Sequence, residues 1–195
     1  MHITAEIRWF WQQDRDSLID NWLKETGYAA VNSEVRTDYY LVTGAGAAGL
    51  KLRSKRLEAK LLLEPISLDN SLADLGMAGK WTKWSAPETM TLADHHADGD
   101  EWLPVQKDRR IAIYLPEDRR WAKPGEQPAS ACEIETGKVS IKGKEYSTVC
   151  FECYCSRGEE RNVLLQALNQ LLKGNILDFL RSQGSQSYPE WLRSL

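Results

Sequence analysis

The chain has 195 residues with 25 basic and 28 acidic side chains, a formal charge of -3. It is long enough for one substantial domain with a proper core, and its charge supplies no global pull toward nucleic acid or an anionic membrane. No apolar run approaches the roughly 18 residues needed to span a bilayer. The start, Met1-His2-Ile3-Thr4-Ala5-Glu6, has neither the basic nor the apolar region of a signal peptide, which points to a cytoplasmic protein.

Residues 3–11 alternate, with Ile3, Ala5, Ile7, Trp9 and Trp11 on one side and Thr4, Glu6, Arg8 and Phe10 on the other, which predicts a strand. Asp14, Asp16 and Ser17 are N-cap candidates for a helix carrying Leu18, Ile19, Trp22 and Leu23 up to Gly27. Val35–Thr43 reads as a second strand. The glycine-rich 44–49 segment lacks a following Gly-Lys-Ser/Thr, so it is expected to be a hairpin connection rather than a nucleotide loop.

The most informative stretch comes next. Lys51, Arg53 and Lys55 fall on one face of a strand opposite Leu50 and Leu52. The pattern then repeats, with Glu58, Lys60 and Glu64 opposite Leu57, Ala59, Leu61 and Leu63. Taken alone, such alternation is what a solvated sheet face requires.

From Pro65 to about Trp102 periodicity is lost, which suggests an irregular insertion within a single domain spanning 1–195; Trp81–Trp84 is a candidate short strand inside it. Asp94, His96 and Asp98 lie in loosely EF-hand-like spacing with His95 beside them. Val105 stands where the twelfth-position Glu belongs, however, so an acidic loop is expected. Strand character returns over 105–115, with Lys107 and Arg109 on one face, and Glu133 and Glu135 share a face further on. Residues 138–142 and the strand around Cys150 suggest a hairpin turned at Gly143.

On that last strand Cys150 and Cys153 point to opposite faces and cannot share a tetrahedral zinc, so the four cysteines read as buried structural thiols. Residues 161–173 form an amphipathic helix stopped by Gly174, and a short helix follows over 176–181.

Several strands thus carry a charged face backed by an apolar one (Ile7/Trp9/Trp11, Leu61/Leu63, Val149/Phe151), and the apolar helices need a surface to cover. The economical arrangement is an α+β fold, an antiparallel barrel of about eight strands lined by charge and coated by helices. A lumen bearing both Lys/Arg and Glu suits a compact polyanion with its divalent cations.

With these residues in place, the chain resembles the CYTH superfamily, the triphosphate tunnel metalloenzymes. The resemblance extends from the first strand to Ser187-Tyr188-Pro189-Glu190-Trp191-Leu192. The N-terminal Glu-x-Glu-x-Lys hallmark is matched in register by Thr4-Ala5-Glu6-Ile7-Arg8, with only the central Glu kept. The basic pair is matched by Lys51-Leu52-Arg53, the lysine strand by Glu58-Ala59-Lys60, and a later Lys-x-Arg by Lys107-Asp108-Arg109. The final Glu-x-Glu becomes Glu152-Cys153-Tyr154.

The resemblance implies a metal-dependent phosphohydrolase. Lys51, Arg53, Lys60, Lys107 and Arg109 would grip a triphosphate or polyphosphate. Arg8 and Lys60 would act in catalysis, and Glu6, Glu133, Glu135 and Glu152 would hold Mg2+ or Mn2+, a set thinned by Thr4 and Tyr154. Two alternatives stand beside it: a non-catalytic polyphosphate-binding protein that keeps the tunnel, and a barrel whose charges only pair internally. The expected partner is a small molecule, with no nucleic acid and no membrane, and pairing of the chain with itself stays open.

Overall fold

The computed structural model describes residues 2–12, 14–28, 32–54, 56–68, 70–86 and 102–195. In chain order the elements are β1 (His2–Trp11), α1 (Asp16–Glu25), β2 (Asn32–Leu41), β3 (Ala48–Arg53), β4 (Arg56–Ile66), β5 (Ala78–Ser85), β6 (Trp102–Leu115), β7 (Arg120–Trp121), β8 (Ser130–Ile141), β9 (Lys144–Cys155), α2 (Glu160–Leu171), α3 (Asn175–Gln183) and α4 (Tyr188–Arg193). A 3₁₀ segment, Asn70–Leu75, links β4 to β5.

Eight strands pair antiparallel in the order β2-β3-β4-β5-β1-β9-β8-β6, and β6 returns to β2, so the sheet closes into a barrel; β7 pairs outside the ring with the end of β6. Closure leaves no free edge in the ring. No helix among the described residues is long and apolar enough to cross a membrane.

Period-two alternation sorts each strand between lumen and exterior. On β1, Ala5, Ile7, Trp9 and Trp11 face outward into the main core with Val149 and Phe151 of β9, under Val163, Leu164, Leu168 and Leu171 of α2 and Ile176 and Leu180 of α3. Apolar burial of this kind contributes roughly 25 cal/mol per Å². The tryptophans also satisfy their polar atoms: Trp9 Nε1 donates to the Leu75 carbonyl (3.2 Å) and Trp22 Nε1 to that of Leu171 (2.8 Å).

Two glycines are required by geometry. Lys142 (φ 49°) and Gly143 (φ 73°) turn the β8–β9 hairpin with successive positive φ values, the expected two-residue type I′ pattern. At Gly137 a Cβ would lie 2.1 Å from the Asp108 carbonyl oxygen, so only glycine lets β8 and β6 approach there.

Several expectations need correction. The stretch from 65 to 102 is not uniformly irregular: the short strand expected at 81–84 is part of β5, which runs from Ala78 to Ser85 as a full barrel strand between β4 and β1, its length masked because Trp81 is buried on the lumen side. Asp94, His95, His96 and Asp98 lie outside the described residues, as does Lys55. α1 begins at Asp16 with no side-chain N-cap; the Asp14 Oδ1 instead accepts from the Asp16 amide (3.1 Å).

Leu61 and Leu63 are 48% and 52% exposed, because α2 and α3 pack over β1, β8 and β9 rather than over β4. Cys132 and Cys153 are directly opposed across β8 and β9 with Cα atoms 4.0 Å apart, and they form a disulfide; only Cys150 and Cys155 remain free thiols, both buried. That pairing removes the support that four free thiols would lend to a reducing compartment.

Candidate functional site

The inner faces converge on one cavity of about 220 Å³, lined by eight cationic side chains and five glutamates. Its lining includes every residue the sequence assigned to a site: Glu6 and Arg8 from β1, Lys51 and Arg53 from β3, Lys60 from β4, Lys107 and Arg109 from β6, Glu133 and Glu135 from β8, and Glu152 from β9. The cavity falls below the roughly 300–1,000 Å³ typical of drug-sized ligands, so it suits something compact.

One end of the lumen is sealed. The segment before α4 caulks the seam beside β1, where the Gln186 amide donates to the Arg8 carbonyl (2.8 Å). Ser187 and Glu190 then start α4 with a capping box, and Pro189 follows at its first turn. Trp191 stacks on Phe10 (4.1 Å between ring centroids) and Tyr188 on Tyr40 (5.2 Å), inside a cluster with Val105, Val139, Ile141 and Tyr146. A Cβ on Gly49 would meet Pro189 Cγ at 3.0 Å, so the bare backbone of β3 lets this plug sit close against it.

Charges inside the barrel are arranged as shared pairs. Glu135 accepts from Arg8 Nη1 (2.6 Å) and Arg109 Nη1 (2.7 Å), and Arg109 also holds Glu34 (2.6 Å). Burial opposes ionisation of Glu135, yet the two guanidiniums hold its carboxyl well below the usual range. Lys60 is bonded to Glu6, which also faces Arg8 Nε at 3.6 Å.

Glu152 lies 4.0 Å from Lys60 and 3.6 Å from Lys83, and accepts from the Thr4 hydroxyl (3.3 Å). Against the cost of burial, the two ammonium groups bring its carboxyl down to about 2. At the plugged end Asp38, fully buried, holds three cations: Lys107 (3.0 Å), Lys51 (3.1 Å) and Arg36 (3.1 Å). Glu58 bridges Lys51 (3.2 Å) and Arg53 (2.9 Å).

Glu133 differs from the other lumen carboxylates: no ion pair within 4.0 Å holds it among the described residues, and burial together with neighbouring Glu152 pushes its carboxyl up. The register places Glu6 opposite Glu152 and Glu152 opposite Glu133, so three glutamates form one row across β1, β9 and β8. Among the described residues no group of three or more His, Cys, Asp or Glu is gathered to hold a metal ion. The side-by-side pair Glu133/Glu152 still fits the way Mg2+ is usually held, by one or two carboxylates completed by substrate phosphates.

Glu34, Arg36 and Asp38 of β2 and Lys83 of β5 have no counterpart among the site residues expected from the sequence. The first three were visible as Glu34-x-Arg36-x-Asp38-x-Tyr40, the same alternation that marks β3 and β4. Lys83 sits opposite Lys60 in register, a relation that only strand pairing reveals.

No protein-family model matches the chain, and no curated protein matches it. Solved structures of similar shape include a conserved hypothetical protein from Pyrococcus furiosus (12% identity, TM-score 0.43, covering 87% of this chain and 91% of that one). The PH1012 protein from Pyrococcus horikoshii OT3 gives 13% identity and a TM-score of 0.40 over 92% and 99% of the two chains. A candidate adenylate cyclase from Bacillus halodurans gives 8% and 0.41 over 92% and 99%. Likeness at this level says nothing about activity.

Proposed function

We propose that the barrel is a CYTH-like polyphosphate site and that the chain is a divalent-metal-dependent phosphohydrolase acting on a tri- or polyphosphate. The observation that carries this is the convergence of eight cations, drawn from β1 to β6, on one small cavity closed at one end.

The charge balance supports a metal as co-ligand. The cavity lining sums to +3 (8 − 5), and Asp38 and Glu34, paired to those cations, reduce it to +1. A phosphate group carries up to ~2 negative charges at neutral pH, so a triphosphate brings more charge than the lumen alone neutralises. A divalent cation bound with it would neutralise the remainder and polarise the phosphoryl group. Glu133 and Glu152 are the residues that would hold it.

Arg8 and Lys60, both on Glu6 in the ligand-free lumen, would transfer their hydrogen bonds to phosphate oxygens and stabilise charge during transfer. Lys51, Arg53, Lys107 and Arg109 would grip the rest of the chain of phosphates, the arginines in bidentate fashion. The test is phosphate release from inorganic triphosphate, thiamine triphosphate and ATP with magnesium or manganese. Turnover no greater than that of Lys51→Ala and Glu152→Ala variants would rule the activity out.

A second reading, a binder without catalysis, is favoured by one observation: Lys60 engages both Glu6 and Glu152, while Thr4 and Tyr154 offer no further carboxylate. It predicts calorimetric binding of triphosphate that persists after chelation of divalent metal, with no turnover.

A further inference from the structure

The plugged end of the lumen holds more positive charge than its carboxylates can answer. Among the described residues Asp38 is the only anion within ion-pair distance of Lys107, and it divides its two oxygens among Lys107, Lys51 and Arg36. The Lys107 ammonium is buried, accepted by the Tyr40 hydroxyl at 2.7 Å, and covered by the Tyr188 ring 4.2 Å away. The groups that face it are Asp38, Tyr40 and Arg36 from β2, Lys51 from β3, Arg8 from β1, Glu135 from β8 at longer range, and Tyr188 from α4. Lys51 and Arg36 each have a second carboxylate, Glu58 and Glu34, whereas Lys107 shares Asp38 with both of them; burial and the neighbouring cations therefore favour loss of a proton from Lys107.

We propose that the plugged end is a proton-linked phosphate subsite: entry of the ligand's innermost phosphate draws a proton onto Lys107, so ligand affinity depends on pH across the neutral range. The inference rests on the polyphosphate reading above and adds its regulation. Burial and the neighbouring Lys51 push the Lys107 ammonium down to about 7 in the ligand-free protein. A phosphate dianion beside it returns the pKa toward the ordinary lysine range. Between pH 7 and the pKa of the bound state, binding takes up a proton and affinity falls as pH rises; below pH 7 this group contributes no slope. Neither Arg36 nor Arg8 can take this role, because a guanidinium does not release its proton in this range.

The probe is imidotriphosphate, a triphosphate whose bridging oxygens are replaced by NH so that it resists hydrolysis, in excess magnesium. Calorimetry at pH 8 in two buffers of different ionisation enthalpy counts the protons taken up. Wild type should take up close to one proton more than Lys107→Arg, and its affinity should fall up to about tenfold per pH unit above 7 while that of the variant stays flatter. Equal proton uptake and equal pH slopes in the two proteins would overturn the proposal.

Because arginine also changes geometry, a second measurement follows the Lys107 ε-carbon by NMR in the wild-type protein. Titration near pH 7 without ligand, moving upward with ligand, is expected. Titration only in the ordinary lysine range without ligand would overturn it. Failure of imidotriphosphate to bind at any pH would remove the polyphosphate reading on which the inference stands.

Discussion

Asp38 shows how a buried residue can be central without touching a ligand. With no solvent exposure and three cations around it, it keeps Lys51, Lys107 and Arg36 folded into the lumen. Replacing it with alanine strands those charges, and breaking a buried pair from one side costs roughly 3–5 kcal/mol; urea unfolding of Asp38→Ala should show a loss of that order. The acidic partners set the low-pH limit. Glu152, down to about 2, and Glu135, lower still, bind fewer protons folded than unfolded. Their stabilisation is therefore complete above the ordinary carboxylate range and is lost as pH falls from about 4.5 toward 2. Thermal melts should show a declining midpoint over that interval, less steep in Glu135→Gln than in wild type; equal slopes would mean that these pairs do not couple to folding.

Strands β8 and β6 meet over a bare backbone at Gly137, so this glycine belongs to the pairing rather than to a turn. A Cβ 2.1 Å from the Asp108 carbonyl cannot be accommodated without moving one strand. Gly137→Ala should cost about 1–3 kcal/mol or more in denaturant unfolding. The shift would also disturb Arg109, next to Asp108, and with it the grip on Glu135.

β-strand character was readable wherever one face was charged and the other apolar, as in β1, β3, β4 and β9. For β5 it reached only the short strand at 81–84, because Trp81 turns inward over Lys60 (5.3 Å) and Trp84, 48% exposed, turns outward, so hydrophobicity tracks neither face. Glu34, Arg36 and Asp38 show the opposite failure: their alternation is plain, yet β2 lacks the apolar partner face, with Val35 65% exposed.

For the molecule as a whole, the barrel is a one-ended vessel whose stopper is the last turn of the chain. Trp191 and Tyr188 complete the cluster around Phe10 and Tyr40, and the 185–187 segment bonds to Met77 and Arg8 beside the β1–β5 seam. Removing residues 185–195 should expose this cluster, raise binding of a hydrophobic dye and lower the melting temperature. Loss of Trp191 packing alone is worth about 3–5 kcal/mol. An unchanged melting temperature would show that the plug is dispensable to the barrel.

Local chemistry along the chain was enough to specify strands of alternating face, the amphipathic α2, the Gly143 hairpin and the register of Glu133 with Glu135, because side-chain direction follows a fixed backbone period. Whether a charged face turned to water or inward was not a local property. It was decided by ring closure of β6 onto β2, which gives the sheet an inside, and by the packing of α2 and α3 over β1, β9 and β8. The partners of each charge were set by strand order. Glu152 meets Glu133 and Glu6, Cys132 meets Cys153, and Asp38 gathers three cations only once residues far apart in sequence lie one strand spacing from each other.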